Sequence, residues 1–232
     1  LGLIILLVRR RSKAWAEQVV VRLEERSGRF RFIPRFDPVE ELISCILSQH
    51  SSDATSFPTF TRLMERFPDW EAMASAPQDE IIEVIRPAGL PQQKAKAIQA
   101  SLQAIRERFG EITLWPLLHA DPVESRKWLQ SLPGIGPKTA SIVLCFALGQ
   151  HAIPVDTHVH RVALRLGLLA PGTSEVAAHD ILLKLVPEEL AFRFHTTLIQ
   201  HGRQLCRAPK PVCERCPLVE DCPSAKKFRR AA

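Results

Sequence analysis

The chain has 232 residues, 46% of them hydrophobic and 24% charged, with a formal net charge of +6. That length fits one large domain or two small ones, and the apolar fraction excludes a disordered chain. The basic excess sits at the two ends: nine Lys/Arg against three Asp/Glu in residues 1–36, seven against three in 206–232, and fifteen against nineteen between them. Charge alone leaves two readings open, a surface for a polyanion such as nucleic acid or a plain solvated basic face.

The chain opens LGLIILLVRRR. Eight mostly apolar residues are too few for a bilayer span, which takes about 20. The charges follow this run instead of preceding it, against a signal peptide. Residues 1–12 therefore read as an extra N-terminal segment without function, and a cytoplasmic, reducing compartment is the default. The rest reads as all-α. A first helix is expected over 15–26. Val39, Leu42, Ile43, Ile46 and Leu47 then repeat at helical spacing. The motif DPVE occurs at 37–40 and again at 121–124. Each copy supplies an Asp N-cap, a Pro at the first helical position and a Glu at the third. Further helices are expected near 53–66, 78–86, 92–109, 138–149, 157–169, 175–186 and 188–201, joined by short loops such as PAGLP (87–91) and APGT (170–173). The helix 138–149, KTASIVLCFALG, is apolar almost all round and should be buried. No strand run alternates convincingly.

Four of six cysteines fall in CRAPKPVCERCPLVEDC: Cys206, Cys213, Cys216 and Cys222. Cys45 and Cys145 lie in apolar helices and read as core residues. A reducing compartment disfavours disulfides. Structural zinc usually takes two short Cys knuckles, and only one is present. An iron–sulfur cube accepts four thiolates at more open spacings, so ligand chemistry favours the cluster. Arg207, Lys210 and Arg215 lie between the ligands, where a metal-tied loop could offer them to phosphates.

The segment LPGIGPKTA, 132–140, follows a short helix over 122–130 and opens the buried one, giving a helix–hairpin–helix over 122–149. Gly134 and Gly136 can take conformations closed to other residues and let a phosphate approach the backbone. Lys138 stands at a helix start, where the partial positive charge opposes an ammonium. It reads equally as a phosphate contact and as a nucleophilic amine, which this field and dry surroundings would keep uncharged. Asp156, in VDTHVHR, follows eighteen residues later and could be a simple N-cap.

In this order, LPGIGPKTA, VDTHVHR, HGRQLC and the C-x6-C-x2-C-x5-C loop make the chain, over about residues 15–228, resemble the endonuclease III family of DNA glycosylases. The resemblance implies two helical domains: a six-helix barrel over 38–150, and a second domain of 13–37 with 151–228 carrying a [4Fe–4S] cluster on the four cysteines. Double-stranded DNA holding a damaged base or abasic site would lie across the cleft between them, at the nucleoid, and the chain would act as a monomer. The resemblance also implies excision of oxidised pyrimidines with strand cleavage by β-elimination. It makes Lys138 the nucleophile that forms a Schiff base with C1′, and Asp156 the catalytic carboxylate.

Adenine-mismatch relatives lack this lysine and carry a glutamate where Ser44 stands here, which favours a bifunctional enzyme. The rivals are a monofunctional glycosylase for mismatched or deaminated bases and a non-catalytic damage-binding protein. Leu90 matches a leucine that wedges into the DNA stack. Gln49 and His50 sit where the family has a gap-filling glutamine; His50 occupies that position and Gln49 precedes it. His158, Gly134, Gly136 and Lys210 complete the expected DNA contacts. His160 is a weaker candidate for lining the cleft. Pro137 replaces a basic residue common before the lysine. The chain has no Tyr, so any stacking falls to Phe, Trp or His.

Overall fold

A computed structural model describes residues 12–229. In chain order the helices are α1 (Lys13–Ser27), α2 (Pro38–Ser48), α3 (Asp53–Arg66), α4 (Trp70–Ser75), α5 (Gln78–Ile85), α6 (Pro91–Phe109), α7 (Pro122–Ser131), α8 (Pro137–Ile142), α9 (Thr157–Arg165), α10 (Glu175–Leu185), α11 (Ala191–Gln204) and α12 (Ala225–Arg229). No strand occurs among the described residues, so the all-α expectation holds. The extra N-terminal segment lies outside them except for Ser12, which caps α1 by accepting the Trp15 N–H at 3.2 Å.

Both DPVE copies start helices as expected. Asp37 accepts the Val39 N–H at 2.8 Å while Glu40 accepts the Asp37 N–H at 3.0 Å. Asp121 accepts from Val123 and Glu124 at 3.0 and 2.9 Å. Three expectations need correction. The short helix α4, capped by Asp69, was missed, because six residues are too few to show a 3.6-residue period. The expected helix 138–149 is α-helical only to Ile142 and continues as a wider π turn over Val143–Ala147. Val143, Leu144 and Cys145 are all 1% exposed or less, so a change of winding there brings no apolar face to water. The helix expected over 157–169 stops at Arg165. Gly167, at φ 74, closes it with the Gly167 N–H on Leu164 O and the Leu168 N–H on Ala163 O, a Schellman ending.

The chain divides into two compact units, residues 34–150 and residues 12–33 with 151–229. Residues 34–37 group with the central unit. Phe36 packs on Phe60, with ring centroids 5.1 Å apart, and Arg35 grips Glu41 through two hydrogen bonds of 3.0 and 2.7 Å. In this unit Val39, Leu42, Ile43, Ile46 and Leu47 form a buried face of α2, each 1% exposed or less. Burying such side chains contributes roughly 1.5–3 kcal/mol apiece. Glu41 is fully buried on the same helix, which its bidentate arginine makes tolerable.

The other unit packs α1 against α11 and α9 against α11. Trp15, Val19, Leu23, Val159, Val162, Phe194 and Leu198 share its core, and the Trp15 indole N–H donates to Leu166 O at 3.1 Å. Arg193 of α11 grips Glu24 of α1 with both nitrogens of its fork.

Candidate functional site

In the central unit, α7 and α8 flank the hairpin Leu132–Gly136. Leu132 and Ile135 are buried and anchor it, while Pro133, Gly134 and Gly136 are exposed. Gly134 takes φ 74, the left-handed region expected of a turn glycine. Gly136 does not bear out the same expectation: its φ of −91° and ψ of 176° suit any residue. It is the residue before α8 and needs only extended backbone. What the missing side chain leaves there is open space, with nothing within 4 Å of an added Cβ.

Lys138 is the second residue of α8. The helix behind it is dry, with Thr139, Ala140 and Ser141 buried, but Lys138 itself is exposed. The dry surroundings expected of it are therefore confined to one side, because the hairpin turn in front is open. Cys45 lies close enough for Lys138 to act on it electrostatically. Burial and Glu41 push its thiol far up, against Arg35 and Lys138, so it stays neutral, a core residue. Burial pushes the Cys145 thiol up to about 12.

Two further turns of this unit carry expected DNA contacts. At the end of α2, Gln49 is half-buried and its side-chain amide donates to Gly134 O at 3.0 Å. The next residue, His50, is exposed with φ 52. Leu90, before α6, is 45% exposed with φ 52 and ψ 45. Left-handed backbone costs a non-glycine residue about 1–2 kcal/mol. Leu90→Asn, which tolerates that conformation, should raise the melting temperature by a few degrees while lowering duplex excision. A lower melting temperature in a calorimetric scan counts against stored strain at this turn.

In the other unit Asp156 is half-buried and caps α9, with Oδ1 accepting the Val159 N–H at 2.7 Å. The segment leading to it is pinned by two buried histidines that sequence reasoning missed. His179 Nε2 accepts the Val155 N–H at 3.2 Å, and His195 Nδ1 bonds Pro154 O at 2.7 Å. His158 Nδ1 accepts from Arg161 at 3.1 Å, which puts the proton of a neutral ring on Nε2 as a donor. His160 Nε2 bonds Thr173 O at 2.8 Å, which gives it a structural role.

The four loop cysteines are free of disulfides, half-buried, and line one pocket together with Arg165, His201 and Phe228. The space among them is about 380 Å³, its open mouth included. Among the described residues no group of three or more His, Cys, Asp or Glu converges on a single-ion position. Four thiols that line one apolar pocket have the donor chemistry of a soft, thiolate-bound metal group. Arg165 donates to Cys206 Sγ at 3.4 Å and, with Arg161, to Cys206 O at 3.2 and 3.0 Å. Arg207, Lys210 and Arg215 are exposed on the same loop.

Residues 43–188 match the family described as HhH-GPD superfamily base excision DNA repair protein, the class that the hairpin and helical fold define. Endonuclease III of Synechocystis sp. is 37% identical over 191 residues, 82% of this chain and 82% of that protein. Endonuclease III of Thermotoga maritima is 33% identical over 186 residues, 80% and 83% of the two chains. A solved non-covalent endonuclease III–DNA complex is similar at 31% identity and TM-score 0.77, over 94% of this chain and 99% of that one. A trapped endonuclease III–DNA covalent intermediate is similar at 31% identity and TM-score 0.76, over 94% and 99%. The chain belongs to the endonuclease III family of the HhH-GPD superfamily.

Proposed function

We propose that this chain excises oxidised pyrimidines from duplex DNA and cleaves the strand at the resulting abasic site. The observation that carries the reading is Lys138, an exposed amine directly behind a glycine hairpin, in a chain of this family. The damaged nucleotide must first leave the base stack. The unprotonated Nζ of Lys138 attacks C1′, the N-glycosidic bond breaks, and the base departs with the bonding pair. Opening of the sugar ring gives an iminium between Nζ and C1′. Loss of a C2′ proton then expels the 3′ phosphate, which is β-elimination. Asp156 supplies a carboxylate that offsets positive charge developing at C1′ or takes up a proton. Its cap to Val159 fixes where that carboxylate points.

Cys206, Cys213, Cys216 and Cys222 would hold a [4Fe–4S] cluster. When bound, the cluster supplies four iron–thiolate bonds that cross-link the loop. Arg207, Lys210 and Arg215, exposed on that loop, then meet phosphates. Among the described residues no helix is long and apolar enough to cross a membrane. The cytoplasm at the nucleoid joins duplex DNA with reducing conditions for free thiols.

The test is a duplex carrying one thymine glycol, incubated with the protein with and without borohydride. A nicked strand, and a covalent adduct when borohydride reduces the iminium, are the expected results. Base release with the strand intact would identify a monofunctional glycosylase instead. Binding without base release would identify a damage-binding protein.

A further inference from the structure

Lys94 is a charged side chain that the reaction does not use and the protein nonetheless buries. It lies in the first turn of α6, is 3% exposed, and donates from Nζ to two backbone carbonyls, Leu47 O and Ala88 O, each at 2.8 Å. Leu47 belongs to the last turn of α2, where the Ser51 N–H turns to Ser48 O and leaves the Leu47 carbonyl to another donor. An ammonium at that carbonyl also suits the negative end of a helix. Burial pulls the Lys94 pKa down from its ordinary value, so these carbonyls hold a charge that desolvation opposes.

The two carbonyls stand at informative places. Leu47 comes three residues before His50, and Ala88 two residues before Leu90. His50 and Leu90 are the two non-glycine residues with positive φ among the described residues, both at 52°. Such conformations persist only where the surroundings over-determine them. The His50 turn is held on one side by the Gln49 amide on Gly134 O and on the other by the Lys94 bond to Leu47 O. The Leu90 turn is held by the same ammonium through Ala88 O, and by the Lys94 N–H on Leu90 O at 3.0 Å.

We propose that Lys94 is a positioning residue for base extrusion, its ammonium fixing the separation of the His50 and Leu90 turns so that both side chains enter the DNA stack in register. This rests on the reading that those two turns contact DNA. Unstacking a base is costly, and a filler and a wedge that arrive together offset that cost better than two independently mobile ones.

The experiment compares Lys94→Met with the natural chain by single-turnover excision of thymine glycol from duplex DNA. Cleavage of an abasic single strand, which needs no extrusion, serves as the reference. A 2-aminopurine beside the lesion reports unstacking by its fluorescence. The ratio of duplex excision to single-strand cleavage should fall at least tenfold, with loss of the 2-aminopurine signal. Lys94→Gln is measured alongside in case the methionine variant does not fold. Equal loss of both activities, an unchanged ratio, or failure of both variants to fold would overturn the proposal and leave Lys94 a structural residue. His50→Ala and Leu90→Ala are the control for the underlying reading. If neither changes duplex excision, the turns do not contact DNA, and that reading fails separately.

Discussion

Lys138→Gln should abolish the borohydride-trapped adduct and cut strand cleavage at least about 10³-fold, a barrier increase of about 4 kcal/mol. Affinity for a duplex with an uncleavable abasic analogue should stay within a few-fold, because the hairpin backbone is untouched. The structure adds a second expectation. Lys138 is exposed at the start of α8, where the positive helix end disfavours an ammonium. Removing it should leave thermal stability unchanged or raise it by about 0.3 kcal/mol. Loss of activity without loss of stability is the signature of a reactive group. A fall in melting temperature parallel to the fall in activity would argue for a structural lysine, and an adduct that survives the substitution would exclude Lys138 as the nucleophile.

Asp156 allows its two roles to be separated by choice of replacement. Asn caps helices about as well as Asp, so Asp156→Asn should keep the bond to the Val159 N–H and the stability of α9. It removes the negative charge, and excision should fall roughly 10²-fold or more. Asp156→Ala loses both functions, with a further cost of about 1 kcal/mol in stability. Equal melting temperatures for the natural and Asn chains, with excision rates that differ, are the expected pattern. If Asp156→Asn excises at the natural rate, the carboxylate is a cap and nothing more.

What was legible in the sequence was carried by short spacings. The two DPVE starts, the apolar face of α2, the glycine hairpin and the four-cysteine loop each lie within a few turns of chain. One-dimensional periodicity and capping chemistry therefore report them. What was missed depends on partners brought together only by folding. Lys94 reaches Leu47 across 47 residues, His179 reaches Val155 across 24, and His195 reaches Pro154 across 41. Nothing about these residue types announces burial; a lysine in a helix reads as solvated. Glu41 sits among apolar neighbours where the pattern permits a polar face, and only the Arg35 fork explains it. Gly136 shows the converse. Its identity suggested special backbone geometry, and the folded chain holds it in ordinary extended backbone with open space beside it.

The interrupted unit imposes an order on synthesis. Residues 34–150 form an uninterrupted stretch whose core partners all emerge in sequence, so this unit can collapse as it leaves the ribosome. The helix α1 is made earlier yet cannot bury Trp15, Val19 and Leu23, because Val159, Val162, Phe194 and Leu198 come after residue 150. At about 5–20 residues per second, its sticky face waits on the order of ten seconds for the partners that cover it. During that interval the nascent chain holds a finished unit tethered to an unpaired amphipathic helix. Chaperone capture or misassociation would concentrate at that segment, far in sequence from the amine and the cysteines.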